Sequence, residues 1–306
     1  MPIRYDITHT TLYRYSEPVR FGEHRVMFRP RDSHDLRVLA TDLICSPEAR
    51  VRLIQDPHSN SVALVTPLQP ADELTITCTF TIEYAPGDGK ELELSPSALI
   101  FPFAYSVQER LDLEHYMRPL YDDPEGVLTQ WARQFMRTDG PTGTRDLLLQ
   151  MNRHIRDHFR YAARDEEGTQ PPLQTLELGS GSCRDFALLM MEAVRSLGMA
   201  ARFVSGYLYD PALDPDADAD ADADGADVTA TAGAGSTHAW LQVYLPGAGW
   251  VPFDPTNNLR AGSPQLIRVG VARDPQQAAP VSGSWFGPAE AYLGLSASVQ
   301  VRRVAG

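Results

Sequence analysis

Three cysteines in a chain of 306 residues are too few for a disulfide framework. Basic residues are also scarce: 27 Lys and Arg stand against 40 Asp and Glu, for a formal net charge of −13. Seven of the acidic residues fall within 214–227, where no basic residue occurs, so the rest of the chain carries only −6. A mildly acidic body lacks the basic face needed to track a phosphate backbone, which argues against a nucleic-acid binder. No apolar run approaches the roughly 18 residues of a membrane span. The opening Met1-Pro2-Ile3-Arg4-Tyr5-Asp6 does not have the basic-then-apolar form of a signal peptide. These absences lead to the expectation of a reduced, soluble, cytoplasmic protein with no membrane partner. With 43% hydrophobic and 22% charged residues, the chain can build a packed core.

Residues 1–85 read as a β domain. In Thr75–Tyr84, Ile76, Cys78, Phe80, Ile82 and Tyr84 alternate with Thr75, Thr77, Thr79, Thr81 and Glu83, a period of two over ten residues. Ile3–Tyr15, Arg37–Ile44 and Val62–Val65 are weaker strand candidates, and the spacing suggests a small β-sandwich. Residues 86–122 are rich in Pro and Gly and read as a connecting segment.

Helices follow. Asp123-Pro124 has the form of a helix start, with Val127, Leu128, Trp131 and Phe135 as an apolar stripe. Thr144 can cap a second helix with Leu148, Met151, Ile155 and Phe159 inward. Ser182, with Asp185 three residues on, resembles a capping box for a third helix, which Gly198 ends. Strands are expected at Arg202–Tyr209, His238–Leu245 and Trp250–Asp254. The fold class is therefore α+β: residues 123–265 form the core, with an acidic insertion at 210–235, and residues 266–306 form a C-terminal β extension.

The Asp-Ala alternation within Asp214–Gly235 has the carboxylates of a calcium site but not the glycine turns or ligand order, so a solvated, self-repelling insertion is the better reading. His154 and His158 have metal-pair spacing. Arg153, Arg156 and Arg160 surround them, however, and His-Glu-x-x-His is absent. No metal and no organic cofactor is implied.

Cys183 follows Gly179-Ser180-Gly181-Ser182 and opens a helix. A thiolate there faces unpaired N–H groups and the positive end of the dipole. Cys45 and Cys78 read as packing residues. A thiol nucleophile needs a base, and the base needs an orienting acceptor. His238 and Asp254 lie on what look like the two arms of a hairpin. A four-residue loop would point Asp254 to the wrong face. A five-residue loop, 245–249, places it opposite Trp240 and diagonal to His238, roughly 7 Å away. The geometry thus demands an odd-length loop or a bulge.

Four motifs then occur in order: Gly181-Ser182-Cys183-Arg184-Asp185-Phe186-Ala187, Ser196–Tyr207, Thr237-His238-Ala239-Trp240, and Gly249-Trp250-Val251-Pro252-Phe253-Asp254-Pro255-Thr256-Asn257. Together they resemble the bacterial transglutaminase-like superfamily of cysteine protease-like proteins, over roughly residues 145–260, and the N-terminal β region looks like the β domain that precedes this core. The acidic insertion, and Ala272-Arg273-Asp274-Pro275 where the family has Gly-Arg-Asp-Tyr, depart from its pattern. The resemblance implies a papain-like core with a catalytic triad: Cys183 as nucleophile, His238 as base and Asp254 as the residue that orients it. The chemistry would be acyl transfer through an acyl-enzyme, with the Cys183 N–H as one oxyanion donor and Gln174, Trp240 or Tyr161 as candidates for a second. Peptide or isopeptide hydrolysis is the first expectation. Amine transfer to a glutamine side chain and a non-catalytic peptide-binding module are the alternatives. A peptide or protein substrate is the expected partner; the oligomeric state is not legible.

Overall fold

The computed structural model describes residues 2–85, 93–164, 168–214, 231–232 and 234–304. Expectations for the acidic insertion at 215–230 and 233 lie outside these residues.

The N-terminal half is β1 (Ile3–Phe21), β2 (His24–Val26), β3 (Leu36–Ser46), β4 (Ala49–Gln55), β5 (Ser61–Pro67) and β6 (Ala71–Tyr84). They form two antiparallel sheets. β1, β6 and β3 lie side by side in one, and β2, β5 and β4 in the other. The period-two pattern decides which way β6 faces: Leu74, Ile76, Cys78, Phe80 and Ile82 are all buried, while the threonines between them are not. Val26, Ala63 and Val65 of the second sheet pack into the same core. In β4, Ala49, Val51 and Leu53 alternate with Arg50 and Arg52, but the fold does not bury that face. Val51 and Leu53 are exposed, and the strand exists because its backbone pairs with β5 along its whole length.

The segment expected as a plain connection contains a helix, α1 (Val107–Met117). Ser106 accepts from the Glu109 N–H, and Glu109 accepts from the Ser106 N–H, a full capping box. Next comes α2 (Val127–Arg133). Asp123 does not start it directly. Its carboxylate reaches forward to the N–H groups of Leu128 and Thr129, while Gly126 turns the chain with φ +68°. In α3 (Thr144–His158), Thr144 is the first helical residue rather than the cap. The short α4 (Pro172–Leu178) was not foreseen.

Helix α5 (Cys183–Ser196) is buried on nearly every face, as befits a helix at the centre of a core. Gly198 ends it at φ +85°, its N–H donating to the Arg195 carbonyl. α5 packs on an antiparallel sheet of β7 (Ala201–Leu208), β8 (Thr237–Leu245), β9 (Gly249–Asp254), β10 (Leu259–Arg260) and β11 (Leu266–Ala272), in the order β10-β9-β8-β7-β11. Among the described residues, five α-helices and two β-rich regions make the protein α+β.

The segment 266–306, read from sequence as one extension, is shared between the two halves. β11 pairs with β7 in the core sheet, whereas β12 (Tyr292–Val304) runs back along β1 from Arg4 to Tyr15. The halves meet in a buried polar contact. His9 Nδ1 of β1 lies 2.8 Å from the Tyr207 hydroxyl of β7, which donates to the Phe28 carbonyl at 3.4 Å. Within the core, the buried pair Arg195–Glu192 at 2.7 Å ties α5 to the segment between α1 and α2. Glu192 accepts the N–H groups of Leu120 and Tyr121, and Arg195 donates to the carbonyls of Tyr116, Ala201 and Arg273. Among the described residues, no helix is long and apolar enough to cross a membrane.

Candidate active site

The turn before α5 is held from inside. Asp185, wholly buried, accepts the N–H and the hydroxyl of Ser182 at 2.8 and 2.9 Å. It also accepts the Gln170 N–H at 2.7 Å and a two-pronged contact from one Arg164 nitrogen at 2.9 and 3.1 Å. Gly181 leaves room for this: a Cβ there would lie 2.8 Å from that of Asp185. Cys183 is thereby fixed at the first position of the helix, 7% exposed, where first-turn N–H groups have no partner within the helix.

The β8–β9 hairpin sets the other two residues. Its register runs from Leu245↔Gly249 to Leu241↔Phe253, so its loop is the three residues 246–248. The loop is odd in length, and the register is the one in which Asp254 falls opposite Trp240, diagonal to His238. The side chains meet: His238 Nε2 and Asp254 Oδ2 are 2.9 Å apart, both fully buried. Asp254 also accepts the N–H of Thr256 at 2.9 Å and the Asn257 amide at 3.1 Å. These donors offset the cost of burying a carboxylate. An ionised carboxylate can only accept, so Nε2 carries the proton and Nδ1 is left as the basic nitrogen. Nδ1 has no hydrogen-bond partner in the usual geometry among the described residues. Burial alone would push the imidazole pKa down. The Asp254 carboxylate and the neighbouring Cys183 outweigh burial, and the pKa rises to about 10.

Gly206, opposite His238 on β7, lets the surroundings close in. A Cβ there would sit 2.2 Å from the Ile267 carbonyl and 2.6 Å from the Trp240 ring. Trp240 stacks with His238 at a centroid separation of 6.0 Å and is buried among Val204, Leu208, Leu266 and Val271. Tyr161 lies beside the cysteine: it pairs with Gly181, and burial followed by the charge of Cys183 raises its pKa to about 12. Gln174 is on the exposed side of α4, and its side chain makes no hydrogen bond to another described residue. Gln170 is the glutamine that abuts this turn, its amide donating to the Ser180 carbonyl at 3.1 Å. The sequence signal for Gln170 was weak, because only folding brings residue 170 back to Asp185. Asn257, which in the sequence is only one member of a motif, bonds both Asp254 and the Ala232 backbone. Cys78 is packed inside the N-terminal sandwich, where burial raises its thiol pKa to about 11. His154 and His158 stack on one another at 4.2 Å, and among the described residues no cluster of three or more His, Cys, Asp or Glu forms a metal site.

Comparison with known proteins agrees with this architecture. Residues 129–255 match the model of the Transglutaminase-like superfamily, and residues 5–83 that of the Bacterial transglutaminase-like N-terminal region. An uncharacterised protein of Mycobacterium leprae is 27% identical over 302 residues, 99% of each chain. One of Mycobacterium tuberculosis is 27% identical over 297 residues, covering 92% of this chain and 87% of its own. The crystal structure of "a Putative Cysteine Protease from Cytophaga hutchinsonii" is similar in fold, with a TM-score of 0.69 at 18% identity over 100% of this chain and 92% of that one. Residues 129–255 thus carry the core of the Transglutaminase-like superfamily, and residues 5–83 the Bacterial transglutaminase-like N-terminal region that precedes it.

Proposed function

We propose that the protein is a thiol-dependent acyl-transfer enzyme that hydrolyses peptide or isopeptide bonds, with Cys183 as nucleophile, His238 as base and Asp254 as its orienting acceptor. The observation that carries this reading is the buried 2.9 Å contact of His238 Nε2 with Asp254, which leaves Nδ1 as the basic nitrogen of a ring whose charge Cys183 also influences. A raised imidazole pKa favours the thiolate–imidazolium pair at neutral pH.

In the reaction, Nδ1 takes the thiol proton and the thiolate attacks the amide carbon. The Cys183 N–H, at the start of α5, stabilises the oxyanion, and Tyr161 is the best placed of the candidates for a second donor. The C–N bond breaks, and the leaving amine takes the proton from His238. Water, deprotonated by the same ring, attacks the thioester and releases the carboxylic acid and the free thiol.

The test is the rate of Cys183 alkylation by iodoacetamide against pH, read by mass spectrometry, with Cys45 and Cys78 as internal references. The wild type should react much faster at Cys183 than at Cys78 near pH 7, and His238→Ala should remove the difference. Equal slow rates at all three cysteines in both proteins would refute an activated pair. Product masses from a peptide substrate, with and without a primary amine present, then separate hydrolysis from amine transfer.

A further inference from the structure

The triad adjoins a cleft of about 440 Å³, within the range of side-chain and small-ligand pockets. Tyr161, which pairs with Gly181, and Phe186, one helical turn on from Cys183, line it near the nucleophile. Thr256, whose N–H binds the Asp254 carboxylate, lines it near the histidine's partner. Phe159 and Leu259 add apolar wall, and Phe159 meets Phe186 edge-on at 6.0 Å. The Thr256 hydroxyl is buried without a hydrogen-bond partner among the described residues.

Charge narrows the choice of occupant. Among the lining residues described, Arg156 is the single charged one; it is exposed on α3, with no ion pair to any described residue. Tyr161 is neutral throughout the physiological range. A lysine or arginine side chain entering the cleft would meet a like charge and no carboxylate. A flat ring would lie against Tyr161, Phe159 and Leu259, with Thr231, Asn257 and Gln265 forming the polar part of the wall.

We infer that this cleft binds the side chain of the acyl donor next to the reacting carbonyl, and that it selects an aromatic residue over a cationic one. The inference rests on the proposed triad for its meaning, but binding can be tested without turnover. The Cys183→Ser protein would be titrated with fluorescein-labelled Gly-Gly-X-Gly-Gly peptides, X being Phe or Lys, and followed by fluorescence anisotropy. The Phe peptide should bind about tenfold more tightly than the Lys peptide, the effect of burying most of one ring. Leu259→Trp, which fills the cleft, should bring the two affinities together. Arg156→Glu, on an exposed helical surface where folding is not at stake, should narrow the ratio by strengthening Lys binding. Equal binding of the two peptides by the Cys183→Ser protein, or a ratio that neither variant changes, would overturn the assignment of the cleft. Those results would leave the triad standing if wild-type Cys183 still alkylates rapidly in a His238-dependent way. Conversely, selective Phe binding with an inert cysteine would uphold the cleft and sink the acyl-transfer reading.

Discussion

Replacing Asp254 by Asn removes one charge and keeps the shape. His238 is fully buried, and burial opposes its protonation; the neighbouring carboxylate reverses that and carries the pKa from 6.5 to about 10. In Asp254→Asn the opposing effect of burial remains while its main counterweight is gone, so the imidazole pKa falls. Each unit is worth 1.36 kcal/mol. A fall of about two units would lower the population of the thiolate–imidazolium pair at pH 7 by about 100-fold. The assay is the second-order rate constant for Cys183 alkylation from pH 5 to 10. The wild type should already react fast at pH 7. The variant should react slowly at pH 7 and rise only as the thiol ionises alone. Stability should follow the same linkage. A group whose folded pKa is raised stabilises the fold fully below its unfolded value of 6.5, and that contribution is lost as pH climbs toward 10. Chemical denaturation should therefore show wild type losing stability between pH 6.5 and 10 and the variant losing much less. A variant with wild-type alkylation rates and the same pH profile would refute the role given to the carboxylate.

Three other sites give independent tests. Burial lowers the His9 pKa to about 4, so the stability it lends is present above 6.5 and lost as pH falls toward 4. His9→Gln should therefore flatten the acid limb of the stability profile by something on the order of 3 kcal/mol, measured by urea midpoints at pH 7 and pH 4.5; an unchanged slope would count against a neutral interdomain histidine. Glu192→Gln leaves Arg195 charged and buried, and should cost about 3–5 kcal/mol in urea unfolding, whereas a loss under 1 kcal/mol would mean the pair is not buried in solution. Gly206→Ala places a methyl group against the Ile267 carbonyl and the Trp240 ring. It should lower the melting temperature by several degrees and slow Cys183 alkylation, while normal values for both would show that the sheet around His238 can give way.

Much of the site is written locally in the chain. The alternation in β6, the Ser182–Asp185 start of α5 and the Gly198 stop all depend on neighbours in sequence, and all appear where the pattern puts them. The odd loop of the β8–β9 hairpin also follows, because a strand has period two and Asp254 can reach His238 in only one of the two parities. What escaped has apolar positions that the fold leaves largely exposed. α1 exposes Val107 and Leu111 and buries little besides Leu113 and Tyr116, so its only local signal was the Ser106–Glu109 box. β4 turns nearly all its side chains to solvent and owes its existence to β5.

The sequence by itself determined the α+β class and the parity that lets His238 and Asp254 meet, and it nominated the three residues of the proposed triad, since each is a matter of residue type and short-range period. Only the tertiary structure decided that β11 joins the core sheet while β12 returns to β1, that Gln170 rather than Gln174 abuts the Cys183 turn, and that Thr256, Phe159 and Leu259 share one cleft beside the triad. Those relations join residues tens to hundreds of positions apart, and no local period encodes which distant surfaces will be buried against one another.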